Sequence, residues 1–158
     1  MERRCSVVLL CAAAALVAVG STAAAKDDRG TCTATAADLQ SLRDNLEIVR
    51  TQTSSAKDNF GPGRIKAFDA AGVAIAAFQQ ALGRALAPSP DSLIVRTPGR
   101  THHPRMNVAL QAMYAARRAL DRASCLVPGP VDAVRAALAD AEKAILWALD
   151  YNAPGSGG

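Results

Sequence analysis

Histidine and glutamate are almost missing from this chain. Its only histidines are the neighbours His102 and His103, and past residue 25 the only glutamates are Glu47 and Glu142. A di-iron site of the ferritin type needs inward glutamates and Glu-x-x-His pairs on facing helices, so that chemistry is excluded. Cys-x-x-Cys-His does not occur, which excludes covalent haem, and neither histidine lies where it could ligate haem from a helical core. No Gly-x-Ser-x-Gly frame is found, so no nucleophile and base are paired by the sequence and the chain reads as non-enzymatic. A strong excess of one charge is missing too. With 18 basic and 14 acidic side chains the net charge is +4, far from the focused basic field of a nucleic-acid binder. No cofactor and no metal is expected.

What is present is an apolar, lightly charged chain of 158 residues, half hydrophobic and a fifth charged, which is the composition of one globular domain. Residues 1–25 stand apart. Arg3 and Arg4 open them, Val7 to Val19 form an apolar run, and Ala23-Ala24-Ala25 supply a small-residue end; this is the pattern of a secretory signal peptide. Bulky Leu10 before Cys11 argues against a lipid-modified cysteine. The expected product starts near Lys26, carries a net charge of +3 once Glu2, Arg3 and Arg4 are gone, and keeps Cys32 and Cys125. Two cysteines in an oxidising compartment are a disulfide count. The expectation is a secreted or periplasmic protein without stable membrane insertion.

Four helical patterns follow, placing an all-α four-helix bundle over residues 26–152, with a flexible tail over 153–158. The first begins at Thr35 and Asp38, a capping-box-like start, and carries Leu39, Leu42, Leu46 and Val49 on one stripe. The second runs from Pro62 to Leu86 with Ile65, Phe68, Gly72, Ile75, Leu82 and Leu86 as its stripe, widened by Phe78. Gly72 on that stripe predicts close approach by a neighbour. The third opens at Pro104 with Met106, Leu110, Met113 and Leu120 beside a line of alanines, and the fourth follows Gly129-Pro130 with Val134, Leu138, Ala141 and Ile145 inward. Between the two helical hairpins lies a Pro-rich linker, residues 87–103, in which no helix is expected.

The cysteines pose a topological choice. In an up-down-up-down bundle Cys32 and Cys125 lie at opposite ends, about 33 Å apart for a helix of 22 residues. A linker of 17 residues can stretch to roughly 56 Å, enough to cross the bundle and return the third helix antiparallel to the first. Either the linker crosses and Cys32 pairs with Cys125, or the connections are short and the thiols are free or intermolecular; the bridge is the favoured alternative.

Two further features concern binding. His102 and His103, with Arg96, Arg100 and Arg105, form a candidate ligand or anion site at the start of the third helix, where the helix dipole favours negative charge. Gly61–Ala67, GPGRIKA, resembles the Gly-Gly-His-Arg-x-Lys-Ala turn and helix start of bacterial secreted or periplasmic helical-bundle proteins, and His103–Leu110, HPRMNVAL, resembles their Pro-His-Met-x-x-Ala-Leu helix start. Gly63 stands where that family has its turn histidine. The resemblance implies an exported helical bundle with no assigned reaction. The reading is an exported, non-enzymatic bundle with a binding or structural role, its partner a protein or a small molecule; the alternative is a periplasmic small-ligand or metal-binding protein using the linker histidines.

Overall fold

The computed structural model describes residues 32–56, 60–93 and 103–151. The signal-peptide pattern of residues 1–25, the tail over 153–158 and most of the linker's second half lie outside them. The described chain is all-α and forms a four-helix bundle: α1 (Ala36–Ser55), α2 (Gly61–Leu82), α3 (Pro104–Ala123) and α4 (Val131–Tyr151). Two 3-10 turns, Pro90–Leu93 and Ser124–Leu126, complete it.

Each helix end has a local cause. At the start of α1 the Thr35 N–H and hydroxyl both donate to Asp38 Oδ2, at 3.0 Å each, which satisfies a backbone donor the helix cannot. At its other end Arg64 donates to the carbonyls of Thr53 and Ser54, taking up orphan acceptors of the last turn. Pro62 and Pro104 occupy the first turns of α2 and α3, where a missing N–H costs nothing. Helix α2 stops at Leu82, four residues earlier than its apolar pattern predicts, because Gly83 takes the left-handed conformation (φ 70°) and its N–H bonds to the Gln80 carbonyl.

The core is built from the stripes of α1, α3 and α4 much as their spacing predicts. Leu42, Leu46, Val49, Met106, Met113, Val134 and Ile145 are fully buried, as are Ala109, Ala116 and Ala119, and each large side chain so buried contributes about 1.5–3 kcal/mol. Helix α2 differs. Ile65, placed inward by its spacing, is 56% exposed, and a Cβ added at Gly72 would meet nothing within 4 Å. Ile75 and Phe78 of the predicted stripe are buried and Leu82 and Leu86 pack against the core, but the rest of the buried face is Gly63, Ala67, Ala71, Ala74 and Ala81. The reason is helix separation: at Gly63 an added Cβ would stand 2.8 Å from the Ala148 backbone, and at Gly129 one would stand 2.7 Å from Ala81. Two helices that close can pack only through small side chains, so the alanine line faces α4 and the bulkier Ile65 and Val73 face outward.

Those contacts also fix direction. Gly63, near the start of α2, lies against Ala148 near the end of α4, while Gly129, before α4, donates its N–H to the carbonyl of Ala81 near the end of α2. Helices α2 and α4 are therefore antiparallel. Cys32 and Cys125 form a disulfide with their Cα atoms 6.0 Å apart, which makes α1 and α3 antiparallel as well. The order is up-down-down-up. Helix α1 packs most extensively on α3 and α2 on α4, so consecutive α2 and α3 sit across a diagonal and the linker crosses the bundle's length. Of the two arrangements open to the sequence, the chain adopts the crossover with the bridge.

The linker begins by lying along α1. Arg43, buried in spite of its charge, donates from Nε to the Leu86 carbonyl at 2.9 Å and pairs with Glu47. Gln40 donates to the Ala87 carbonyl, and Asp44 accepts from the Ser89 N–H at 2.8 Å. A backbone stretch interrupted by Pro88 and Pro90 cannot satisfy itself, and one flank of α1 does so for it. The linker also contains the 3-10 turn at Pro90–Leu93, where the sequence predicts only non-helical chain.

The glycine assignments invert the sequence expectation and lead to paired outcomes under chemical denaturation. Gly63→Ala is expected to destabilise by about 1–3 kcal/mol through overpacking, and Gly72→Ala to stabilise by up to about 1 kcal/mol through helix propensity; equal effects would contradict the α2–α4 spacing. A second outcome concerns pH. The Arg122 guanidinium, whose Nε lies 2.9 Å from Asp38 Oδ1, together with the hydrogen bonds from Thr35, holds the Asp38 carboxyl below its ordinary value. A depressed folded-state pKa stabilises above the unfolded value, about 3.9, and that contribution fades as pH falls through the folded value. Asp38→Asn is therefore expected to be less stable than the parent at neutral pH, with the gap closing on acidification below about pH 4.

Candidate functional site

Three regions of the bundle carry exposed or convergent chemistry. The first is the start of α3, where the sequence places its ligand or anion site. His103 and Arg105 are described there; Arg96, Arg100 and His102 lie outside the described residues. His103 adopts a left-handed conformation (φ 55°), uncommon for a residue other than glycine. Its carbonyl accepts from the Asn107 N–H at 3.0 Å, starting the helix. Its ring stands edge-on to buried Phe60, centroids 5.1 Å apart, which pins the α2 start to the α3 start by aromatic packing. Arg105 occupies the first turn of α3, which has no acidic residue to balance the dipole. Among the described residues no three His, Cys, Asp or Glu side chains converge as a metal site.

The second region is the end that holds the disulfide. Ala34, Leu39, Leu82, Leu126 and Pro128 line an apolar depression of about 400 Å³ with Arg84 on its edge. Arg122 and Asp38 bridge α3 to α1 at the same end, so this end is the one tied most firmly. On the neighbouring flank Arg117 pairs with Glu142 and Arg135 reaches Asp121. Arg117, Arg118 and Arg122 thus lie on exposed positions of α3.

The third region is the outer face of α2 and α4, and it is the most unusual. Because the alanine line of α2 is turned inward, two of its larger apolar residues are left outside: Ile65 and Val73 are more than half exposed, and Leu146, Trp147 and Tyr151 of α4 are two-fifths to one-half exposed. Between the helices Lys66, Ala70, Asp140, Lys143, Ala144 and Trp147 line a groove of about 290 Å³. The Trp147 indole forms its wall, and Lys66 Nζ lies 4.7 Å from the ring centroid, a cation over an aromatic face. One turn beyond Trp147 the Tyr151 ring lies above Gly61, where an added Cβ would meet it at 2.9 Å. The groove therefore offers apolar floor, an aromatic wall and both signs of charge at the rim.

Sequence reasoning missed this face because it assigned Ile65 to the core. The spacing of Ala67, Ala71, Ala74, Phe78 and Ala81 was the signal available, and it is as regular as the stripe of bulkier residues that competed with it. Comparison of the chain with protein-family models, curated proteins and solved structures returns no match. Among the described residues no helix is long and apolar enough to cross a membrane.

Trp147 is the chain's one tryptophan, so its fluorescence reports on the groove alone. Lys66→Ala is expected to increase acrylamide quenching of that emission without changing helical circular dichroism, since the ammonium and its stem cover one face of the ring; unchanged quenching would remove the contact.

Proposed function

We propose that this chain is an exported, non-enzymatic helical bundle that works by binding, and that the α2–α4 face is where it binds. One observation carries the reading: an exposed tryptophan beside exposed Ile65, Val73 and Leu146, on two helices whose opposite sides are fully packed. Tryptophan is enriched at interface centres, where its large surface is desolvated on contact. Export is supported by the pattern of residues 1–25 and by the Cys32–Cys125 disulfide, since such bonds persist in oxidising compartments. The resemblance of Gly61–Ala67 and His103–Leu110 to bacterial exported bundles agrees with it.

Photo-crosslinking tests the face directly. With benzoylphenylalanine placed singly at Val73 and at Gln111, an exposed position on α3, adducts are expected at Val73 and not at Gln111. Equal labelling would overturn the reading. Native mass spectrometry with and without chelator separates the alternative: a mass lost on chelation, and absent from the His103→Ala variant, would transfer binding to the linker histidines.

A further inference from the structure

We propose that the occupant of the α2–α4 face is a second copy of this chain, joined by a two-fold axis perpendicular to the helices. The inference rests on the reading of that face as the binding surface and adds its partner and geometry. The register of α2 on α4 follows from Gly63 beside Ala148 and Ala81 beside Gly129. It sets Lys66 level with Ala144 and Ile145, and Asp69, three residues on, level with Ala141 and Glu142, so that Lys143 and Asp140 stand about 2 Å further along than Lys66 and Asp69 respectively. All four charged residues are exposed. Asp69, Asp140 and Lys143 take part in no ion pair among the described residues, and Lys66 rests over Trp147. Each helix of the face therefore bears a cation and, about 4.5 Å along in the same direction, an anion.

Such a pattern discriminates between the ways two copies can meet face to face. A two-fold axis parallel to the helices would lay α2 of one copy over α4 of the other at equal levels, opposing Lys66 to Lys143 and Asp69 to Asp140. Two of the three close approaches, Lys66 with Lys143 and Asp69 with Asp140, would then join like charges, and only Lys143 with Asp69 would join opposite ones. An axis perpendicular to the helices, passing between the cations and the anions, lays α2 on α2 and α4 on α4 in antiparallel pairs. Lys66 then faces Asp69 of the second copy, and Lys143 faces its Asp140, each twice by symmetry. The same operation sets Trp147 over Ala136 of the second copy, an exposed small residue, so the bulky ring meets a gap. This is the self-complementarity that an isologous interface requires: the apolar surface of Trp147, Val73 and Ala70 supplies the attraction, and the charges select the orientation.

Charge exchange tests both parts. The full-length protein with its disulfide intact is expected to dimerise in sedimentation velocity across roughly 1 to 200 µM. Lys66→Asp with Lys143→Asp, which makes the face uniformly acidic, is expected to raise the dissociation constant at least about tenfold. Adding Asp69→Lys and Asp140→Lys restores opposite signs at every contact and is expected to restore dimerisation to within about threefold. In a mixture of this fourfold variant with the parent, native mass spectrometry is expected to find the two homodimers and no mixed dimer, because Lys would then face Lys. All substituted residues are exposed, and circular dichroism with a thermal melt establishes that each variant is folded. A parent protein that stays monomeric over the whole range, or mixed dimers as abundant as homodimers, would overturn the proposal. Val73 adducts to a different protein with a monomeric parent would sink self-association and leave the binding face standing.

Discussion

A disulfide between residues 93 apart in sequence admits only one direction for α3. Cys32 precedes α1 and Cys125 follows α3, so their junction brings the first end of one helix to the last end of the other. From that follow the long crossover and the diagonal placement of α2 and α3. Helix α4, reached from α3 by a short turn, then has only the antiparallel place beside α2 left to it. The bond closes a loop worth about 4 kcal/mol of lost chain entropy in the unfolded state, and Arg122 with Asp38 adds a polar tie at the same end. The opposite end is held by softer contacts, Phe60 on His103 and Tyr151 over Gly61.

The close approach of α2 to α4 governs what the molecule presents to its surroundings. When two helices touch through Gly63, Ala67, Ala71 and Ala74, larger residues on the outer side of that line have no interior left to enter, whereas Ile75 and Phe78 on its inner side are buried. Ile65 and Val73 are therefore outside by the same geometry that puts the alanines inside, and the indole of Trp147 lies across the rim. An apolar outer face here is the counterpart of an unusually thin core seam. Nature's common remedy for such a face is to cover it.

The bundle itself was legible from the chain: Leu39, Leu42, Leu46 and Val49, and the alternation of Met106, Met113 and Leu120 with alanines, define inward faces without ambiguity. The disulfide was legible as one of two alternatives, because helix length and linker reach left no third. What escaped was the first half of α2, where Ile75 and Phe78 are buried as their spacing predicts but Ile65 is not. Hydrophobicity ranks isoleucine above alanine, whereas the decisive quantity at that position was the distance between helix axes, which depends on both partners at once and is written in neither alone. Arg43 escaped for a similar reason. Nothing in its own stretch of sequence marks it, and only the path of Leu86 across that flank of α1 makes it a buried donor. The ligand-site reading of His103 met a local fact of the same kind, a ring already engaged by Phe60.

Most helical bundles assemble from neighbours, hairpin by hairpin, and fold quickly because their contacts are local. Here the extensive pairs are first with third and second with fourth, while the consecutive hairpins are the lesser interfaces. An α1–α2 hairpin emerging alone in synthesis would have its main partners still unmade, and at about 5–20 residues per second the wait for α3 lasts several seconds. For that interval Cys32 is a thiol without its mate and the alanine seam of α2 is open. The crossover that gives the finished protein its tied end thus makes its folding a late, nearly whole-chain event.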